Sequence, residues 1–265
     1  MKLDRIVIST NNNPVYYGNL PIVYKAYQKF FPEARFTLAV VRNKNDVTLT
    51  QKLQHYCDDM LVYDTIEGVC TPNLAKLARF FTASTFTNQV CMVNDIDLIP
   101  LQRKYYINKL KKRQQLELLC VGHNRYYNTP HHGKFPISYI TGEGILFKQF
   151  MNPLGNKWKD FINSFIDFRM IDDKEAVNKP CRHFSDESLI RALLKFYGQV
   201  KLCRCDCDFK PHKDSVTRKM TIDSKRLMSG GYIESHHVLP VEKYINKINL
   251  ICKYLNLSFN KGWYK

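Results

Sequence analysis

Val90-Cys91-Met92-Val93-Asn94-Asp95-Ile96-Asp97-Leu98-Ile99-Pro100 is an apolar run broken near its end by two carboxylates one residue apart. It reads as a buried strand with a charged tip. Aspartate has low strand propensity, so two at the end of such a run mark the point where the strand reaches the mouth of a site. Open α/β sheets bind their ligands at strand ends. A hard divalent cation takes oxygen ligands, and Asp95 and Asp97 on a bending strand end suit Mg²⁺ or Mn²⁺, which would neutralise a diphosphate. The alternative is a pair of turn-forming aspartates that close the strand and need no metal.

The chain before this run alternates between two periodicities. Arg5-Ile6-Val7-Ile8-Ser9-Thr10 is a β-rich run stopped by the turn cluster Asn11-Asn12-Asn13-Pro14. From about residue 18 to 31, Leu20, Val23, Tyr24, Tyr27 and Phe30 recur at helical intervals, and 36–41 is a second apolar strand. A helix over about 47–56 and a short strand at Met60-Leu61-Val62-Tyr63 continue the alternation. This β-α-β order predicts a mainly parallel sheet with right-handed crossovers, in which the Asp-x-Asp strand comes fourth. Beyond it, Leu118-Leu119-Cys120-Val121 and a strand around Ile140 extend the sheet. The polar and aromatic residues 123–133 form a loop near the site, and Ile145-Leu146-Phe147 is expected as a strand end. A helix from about Asn156 presents Trp158, Phe161, Ile162 and Phe165 as one stripe, and 186–197 is another helix. In 241–255, Ile245, Ile248 and Ile251 lie on one side and Lys243, Lys247 and Lys253 elsewhere. Packing onto the domain is the expected role of that helix, with membrane-surface contact as the alternative.

At 265 residues, with 45% hydrophobic and 13% aromatic content and no internal repeat, the chain suits one α/β domain over 1–265. Lys and Arg number 40 against 24 Asp and Glu, so the net charge of +16 attracts phosphates, nucleic acid or an anionic membrane. One diphosphate needs only a few of these charges, and the rest read as solvated surface. Nine scattered cysteines do not form a disulfide framework, and no segment approaches the roughly 20 apolar residues that span a bilayer, so a cytoplasmic setting is expected. Cys203, Cys205 and Cys207 with His212 suggest zinc, but the paired Cys-x₂₋₄-Cys spacing of structural sites is missing.

The ordered motifs resemble the GT-A class of nucleotide-sugar glycosyltransferases, in particular small soluble bacterial or large-DNA-virus enzymes. Four segments carry the resemblance: the Asp-x-Asp strand, the helix Asn73-Leu74-Ala75-Lys76-Leu77-Ala78-Arg79-Phe80-Phe81 before it, the small-residue segment Tyr139-Ile140-Thr141-Gly142-Glu143-Gly144-Ile145-Leu146-Phe147, and the acidic helix start Ser185-Asp186-Glu187-Ser188-Leu189-Ile190. Lys76 resembles the lysine of glycogenin-like enzymes. The resemblance implies a GT-A-like, Rossmann-type sheet flanked by helices, a UDP-linked sugar donor, a glycan or glycoprotein acceptor, and Mn²⁺ or Mg²⁺. It assigns residues 1–101 mostly to the donor and 102–265 mostly to the acceptor and a C-terminal helix.

By the same resemblance Ser9, Thr10 and Asn11 sit beside the uracil. Tyr16 or Tyr17 could stack on the base, although turn tyrosines more often pack locally. Lys76 and Arg79, three apart on one helix face, reach the phosphates. Asp97 binds metal and Asp95 binds metal or ribose. A late histidine, His236 or His237, supplies a further ligand, with His237 preferred. Gly142 and Glu143, beside Thr141 and Gly144, line the sugar pocket. Asp186 or Glu187 binds or deprotonates the acceptor, although both also suit a plain helix N-terminus. Two other functions are open. A sugar-phosphate nucleotidyltransferase shares the architecture, yet normally has a glycine-rich loop where residues 11–14 stand. A basic nucleic-acid-binding protein would explain the charge and 16 tyrosines, but no RNA-binding motif supports it.

Overall fold

The computed structural model describes residues 2–121, 138–168, 190, 193–194, 199–205, 215–216, 221–236 and 244–264. The strands are β1 (Arg5–Thr10), β2 (Arg35–Arg42), β3 (Asp59–Asp64), β4 (Val90–Val93), β5 (Leu98–Pro100), β6 (Glu117–Val121), β7 (Ile140–Glu143), β8 (Lys201–Cys205), β9 (Ser215–Val216) and β10 (Glu234–His236). Among the described residues seven of them form one sheet in the order β3-β2-β1-β4-β7-β6-β8, and β5-β10-β9 form a small second sheet. The large sheet is parallel except for β7, which runs antiparallel to both β4 and β6.

Side-chain alternation along β1 divides the core. Ile6 and Ile8 face one apolar layer with Leu38, Val40 and Tyr27, while Val7 faces the other with Ala39, Val41 and Leu74. Helices cover both faces, so the parallel strands read as continuous apolar runs. The first layer is closed by α2 (Leu20–Phe30) and by the late helix Ile245–Tyr254, and the second by α4 (Thr71–Thr85), α6 (Gly144–Met151) and α7 (Trp158–Phe168). The short α1 (Pro14–Tyr17) precedes α2, and α3 (Val47–Leu53) continues as a 3₁₀ turn over Gln54–Tyr56. Further helices are α5 (Arg103–Leu110), α8 (Ser224–Met228) and α9, the late helix itself.

The α/β class and the succession of strands and helices along the chain through β4 agree with the sequence expectation. Ile248, Ile251 and Cys252 of α9 are buried, as the packing reading required. Phe161 and Ile162 of α7 are also buried, while the Phe165 side chain lies outside the described residues. So do most of residues 186–197, although Ile190 and Leu193 are buried. Among the described residues no helix is long and apolar enough to cross a membrane. Cys203 lies on β8 outside any disulfide, its Sγ donating to the Lys112 carbonyl at 3.5 Å, while Cys207, His212 and the Cys205 side chain lie outside the described residues.

One element differs. Ile145-Leu146-Phe147 is helix, because the chain leaves β7 at Glu143 and turns at once into α6. The turn is fixed from outside: the Gly144 N–H donates to the Gln89 carbonyl at 2.9 Å and the Ile145 N–H to that of Thr87 at 3.1 Å. Gly144 lies so close to the backbone carbonyls of Phe86 and Ala83 that an added Cβ would overlap them. Backbone cannot yield as a flexible side chain can, so Gly144→Ala is expected to lower unfolding free energy by about 2 kcal/mol or more, measured by urea denaturation.

Candidate functional site

The C-terminal ends of β1 and β4 open onto a pocket of about 240 Å³ beneath α4. Ser9, Thr10 and Asn11 supply one wall as β1 runs out. Asn11 then fixes the turn, its Oδ1 accepting from the Asn13 N–H at 3.1 Å and its Nδ2 donating to Thr71 Oγ1 at 3.3 Å. Asn13 in turn caps α1 by accepting from the Val15 N–H at 3.0 Å. Residues 11–14 are therefore a chain of asparagine turns rather than a glycine-rich phosphate loop.

The second wall is one face of α4. Pro72, Ala75, Lys76 and Arg79 line the pocket at i, i+3, i+4 and i+7, while Leu74, Leu77 and Phe80 go to the core. The third wall is the turn after β4. Asn94 is 0% exposed and breaks the strand: its N–H donates to Val7 O at 3.2 Å, and its Nδ2 donates to Tyr27 Oη at 2.7 Å and to Leu98 O at 3.2 Å. The Leu98 N–H closes the turn on Asp95 O at 3.3 Å, leaving Asp95, Ile96 and Asp97 against the pocket.

The two aspartates have different partners. Asp95 pairs with the guanidinium of Arg79, which is 2% exposed, and its Oδ2 accepts from Ser138 Oγ at 2.9 Å. Burial favours the neutral acid, but Arg79 and then Ser138 outweigh it and hold the Asp95 pKa below the usual carboxylate range. Asp97 Oδ2 lies 3.1 Å from His236 Nε2, which arrives because β10 pairs antiparallel to β5 with His236 opposite Leu98. Burial opposes the charged imidazole, yet the hydrogen bond and charge of Asp97, helped by Asp95 and buried Glu234, raise the His236 pKa.

Ser9, Thr10, Asn11, Lys76, Arg79, Asp95 and Asp97 are thus brought to one pocket, with Tyr16 beside them. Arg79 reaches it already engaged by Asp95. Gly142 and Glu143 do not reach it. Because β7 is antiparallel, Ile140 is opposite Val93 while Glu143 is opposite Val90, at the far end of β4. There Glu143 pairs with buried Arg113, and Gly142 packs against Leu118 and Leu146. Asp186, Glu187 and His237 lie outside the described residues. Among the described residues no cluster of three or more His, Cys, Asp or Glu is arranged to hold a metal. Spacing did not single out Asn94 or Ser138 and placed Tyr27 only on the apolar face of its helix, although Asn94 was visible as the one polar residue between the apolar run and Asp95.

Two measurements test these electrostatics. In an NMR titration without added metal, the His236 imidazole should titrate above about 6.5 and, in Asp97→Asn, below the wild-type value. Since its folded pKa is raised, the stability from this pair is present in full below about pH 6.5 and is lost as pH rises through the folded value. Asp95 has the opposite sign: its contribution is present above about pH 3.9 and is lost as pH falls through its lowered value. Arg79→Leu strands the Asp95 carboxylate and should cost about 3 kcal/mol at pH 7, read by chemical denaturation.

No protein-family model matches the chain, and no curated protein sequence does. Solved structures do. An active-site mutant of LgtC superposes with a TM-score of 0.52 at 10% identity over 98% of both chains. LgtC, described as a galactosyltransferase in complex with donor and acceptor sugar analogues, gives 0.50 at 10% identity, again over 98% of each chain. GlyE, a glycosyltransferase of Streptococcus pneumoniae TIGR4, gives 0.52 at 10% identity over 97% of this chain and 61% of its own. This chain therefore spans about 61% of GlyE. At this identity the likeness is one of fold.

Proposed function

We propose that the protein is a GT-A-type glycosyltransferase that moves a sugar from a UDP-linked donor to a glycan or glycoprotein acceptor. The observation that carries this reading is the single pocket into which the end of β1, one face of α4 and the Asp95–Asp97 turn all open. Its position at the carboxyl ends of parallel strands is where nucleotides bind in this architecture. The fold likeness to LgtC and GlyE supports it.

Ser9, Thr10 and Asn11 contact the base, Tyr16 stacks on it, and Lys76 reaches the diphosphate. Arg79 acts through Asp95, holding the turn that presents Asp97. Among the ionisable groups lining the pocket, Lys76 and Arg79 balance Asp95 and Asp97, so a diphosphate entering it meets no net positive charge when His236 is neutral. That shortfall, and the Asp97 and His236 donor atoms 3.1 Å apart, fit Mn²⁺ or Mg²⁺, with His237 as a further ligand. A divalent cation here would stabilise the charge on the departing diphosphate. Asp186 or Glu187 binds or deprotonates the acceptor hydroxyl. Residues 1–101 would then serve mostly the donor and 102–265 mostly the acceptor, in a cytoplasmic reaction.

Metal-dependent hydrolysis of a panel of UDP- and GDP-sugars, wild type beside Asp97→Ala, tests this. The expected result is release from one UDP-sugar, slowed at least about 100-fold in the variant. Absence of both turnover and binding for every donor, with or without Mn²⁺, would overturn it. Salt-sensitive retention of nucleic acid by wild type and variant alike would then favour the basic binding-protein alternative.

A further inference from the structure

The α1 turn that carries Tyr16 into the pocket is only four residues long, too short to stand as an isolated helix. Its hold comes from elsewhere in the chain. At its start is the Asn13 cap. Behind it, Lys52 Nζ lies 4.7 Å from the centre of the Tyr17 ring. At its end are Gly18 and Asn19, and both are engaged by Tyr264, from a 3₁₀ turn at Lys261–Tyr264.

Tyr264 lies directly on Gly18, so close that a Cβ there would overlap the ring. Its hydroxyl donates to Asn19 Oδ1 at 3.0 Å. Asn19 is the residue before α2, but its backbone is itself helical (φ −76°, ψ −17°) and Pro21 in the first turn has no N–H to offer, so side-chain capping is closed to it. Its oxygen is thus left to accept from Tyr264. Asn19 is 1% exposed, and its Nδ2 has no hydrogen-bond partner among the described residues. A buried amide left half satisfied opposes folding stability, which points to a role other than stability. Meanwhile the Asn19 backbone joins the two helices, its N–H donating to Tyr16 O at 3.1 Å and its carbonyl accepting from Val23 at 3.0 Å. The Tyr264 turn is itself braced, with the Gly262 N–H donating to Asn260 Oδ1 at 2.8 Å and the Phe259 ring 6.5 Å from that of Tyr264.

We propose that Tyr264 is a positioning residue for nucleotide binding: by holding Asn19 and packing on Gly18 it sets the α1 turn and hence the Tyr16 wall of the pocket. This rests on the pocket being the donor site proposed above. A residue 248 positions away in sequence from Tyr16 thereby determines how well the base is received. Because the contact is remote from the diphosphate and the sugar, its loss weakens binding of the nucleotide without slowing the chemical step.

Tyr264→Phe removes the hydroxyl alone. Losing one buried hydrogen bond that acts on the bound state should raise the Kd for UDP, measured by calorimetry, about fivefold, and raise the donor KM likewise with kcat unchanged. The melting temperature is followed in parallel, since a purely structural role would lower it while leaving Kd in place. The chain has two tryptophans, so in Trp158→Phe the emission of Trp263, beside Tyr264, reports on this contact. UDP should change it saturably, with the calorimetric Kd. Unchanged Kd in Tyr264→Phe, or UDP binding with no change in Trp263 emission, would overturn the inference and leave the proposed function standing. Failure of the wild-type protein to bind any nucleotide would overturn both.

Discussion

The ion pair between Arg79 and Asp95 is the constraint from which the site is built. Arg79 heads the fully buried side chains by size, and taking a guanidinium out of water costs several kcal/mol unless a carboxylate meets it in good geometry. The helix carrying Arg79 packs on β1 and β2 through residues such as Leu74, and Asp95 lies at the end of β4. Satisfying the pair therefore fixes α4 lengthwise over the sheet. Once Asp95 is held, Asn94 closes the turn to Leu98, the chain returns as β5, and β5 offers the edge on which β10 pairs. His236 meets Asp97 as the last step of that sequence. A residue 139 positions from Asp97 is thus placed by the β5–β10 pairing, one turn beyond the Arg79–Asp95 pair.

Much of the fold was legible because its elements carry clean periodicities. Parallel strands buried on both faces give unbroken apolar runs, and α2 and α4 repeat apolar residues at helical spacing. The pocket was legible for a related reason. Ser9, Thr10 and Asn11 follow their strand directly, and Lys76 and Arg79 share a helix face, so strand direction and helical phase suffice to bring them together. Local pattern says which face a residue is on, however, and not what it meets there. That Arg79 would be occupied by Asp95, rather than open to a phosphate, depended on the packing depth of α4.

The segment after Ser138 was harder for two physical reasons. Ile145-Leu146-Phe147 is an apolar triplet that suits a buried strand as well as a buried helix. The choice was made by tertiary contact, where the backbone of Gly144 docks on the end of α4 and hydrogen-bonds to Thr87 and Gln89 through the first turn. Strand direction was the other reason. Along a parallel strand, residues late in the run approach the ligand edge, whereas in β7 the first residue does so. Ser138, just before the strand, is consequently the one that reaches Asp95, and Glu143 is carried to the opposite edge.

The two edges of the sheet separate a site from a collection of charges. At the amino-terminal edge, buried Arg5 meets Asp59, Thr37 and Gln89 and stacks on Phe86 at 3.8 Å. Arg35 adds two further bonds to Asp59 at 2.8 and 2.9 Å, Arg113 takes Glu143, and Lys201 meets Glu117 at 2.7 Å. These charges close on one another around strand ends and seal that edge of the fold. At the carboxyl edge the same residue types surround a cavity, and Asp97 has as its partner a half-exposed histidine that can exchange its proton with water. An acid next to a base is common to both edges. What distinguishes the candidate site is space beside the pair, together with a partner whose charge is itself adjustable near neutral pH.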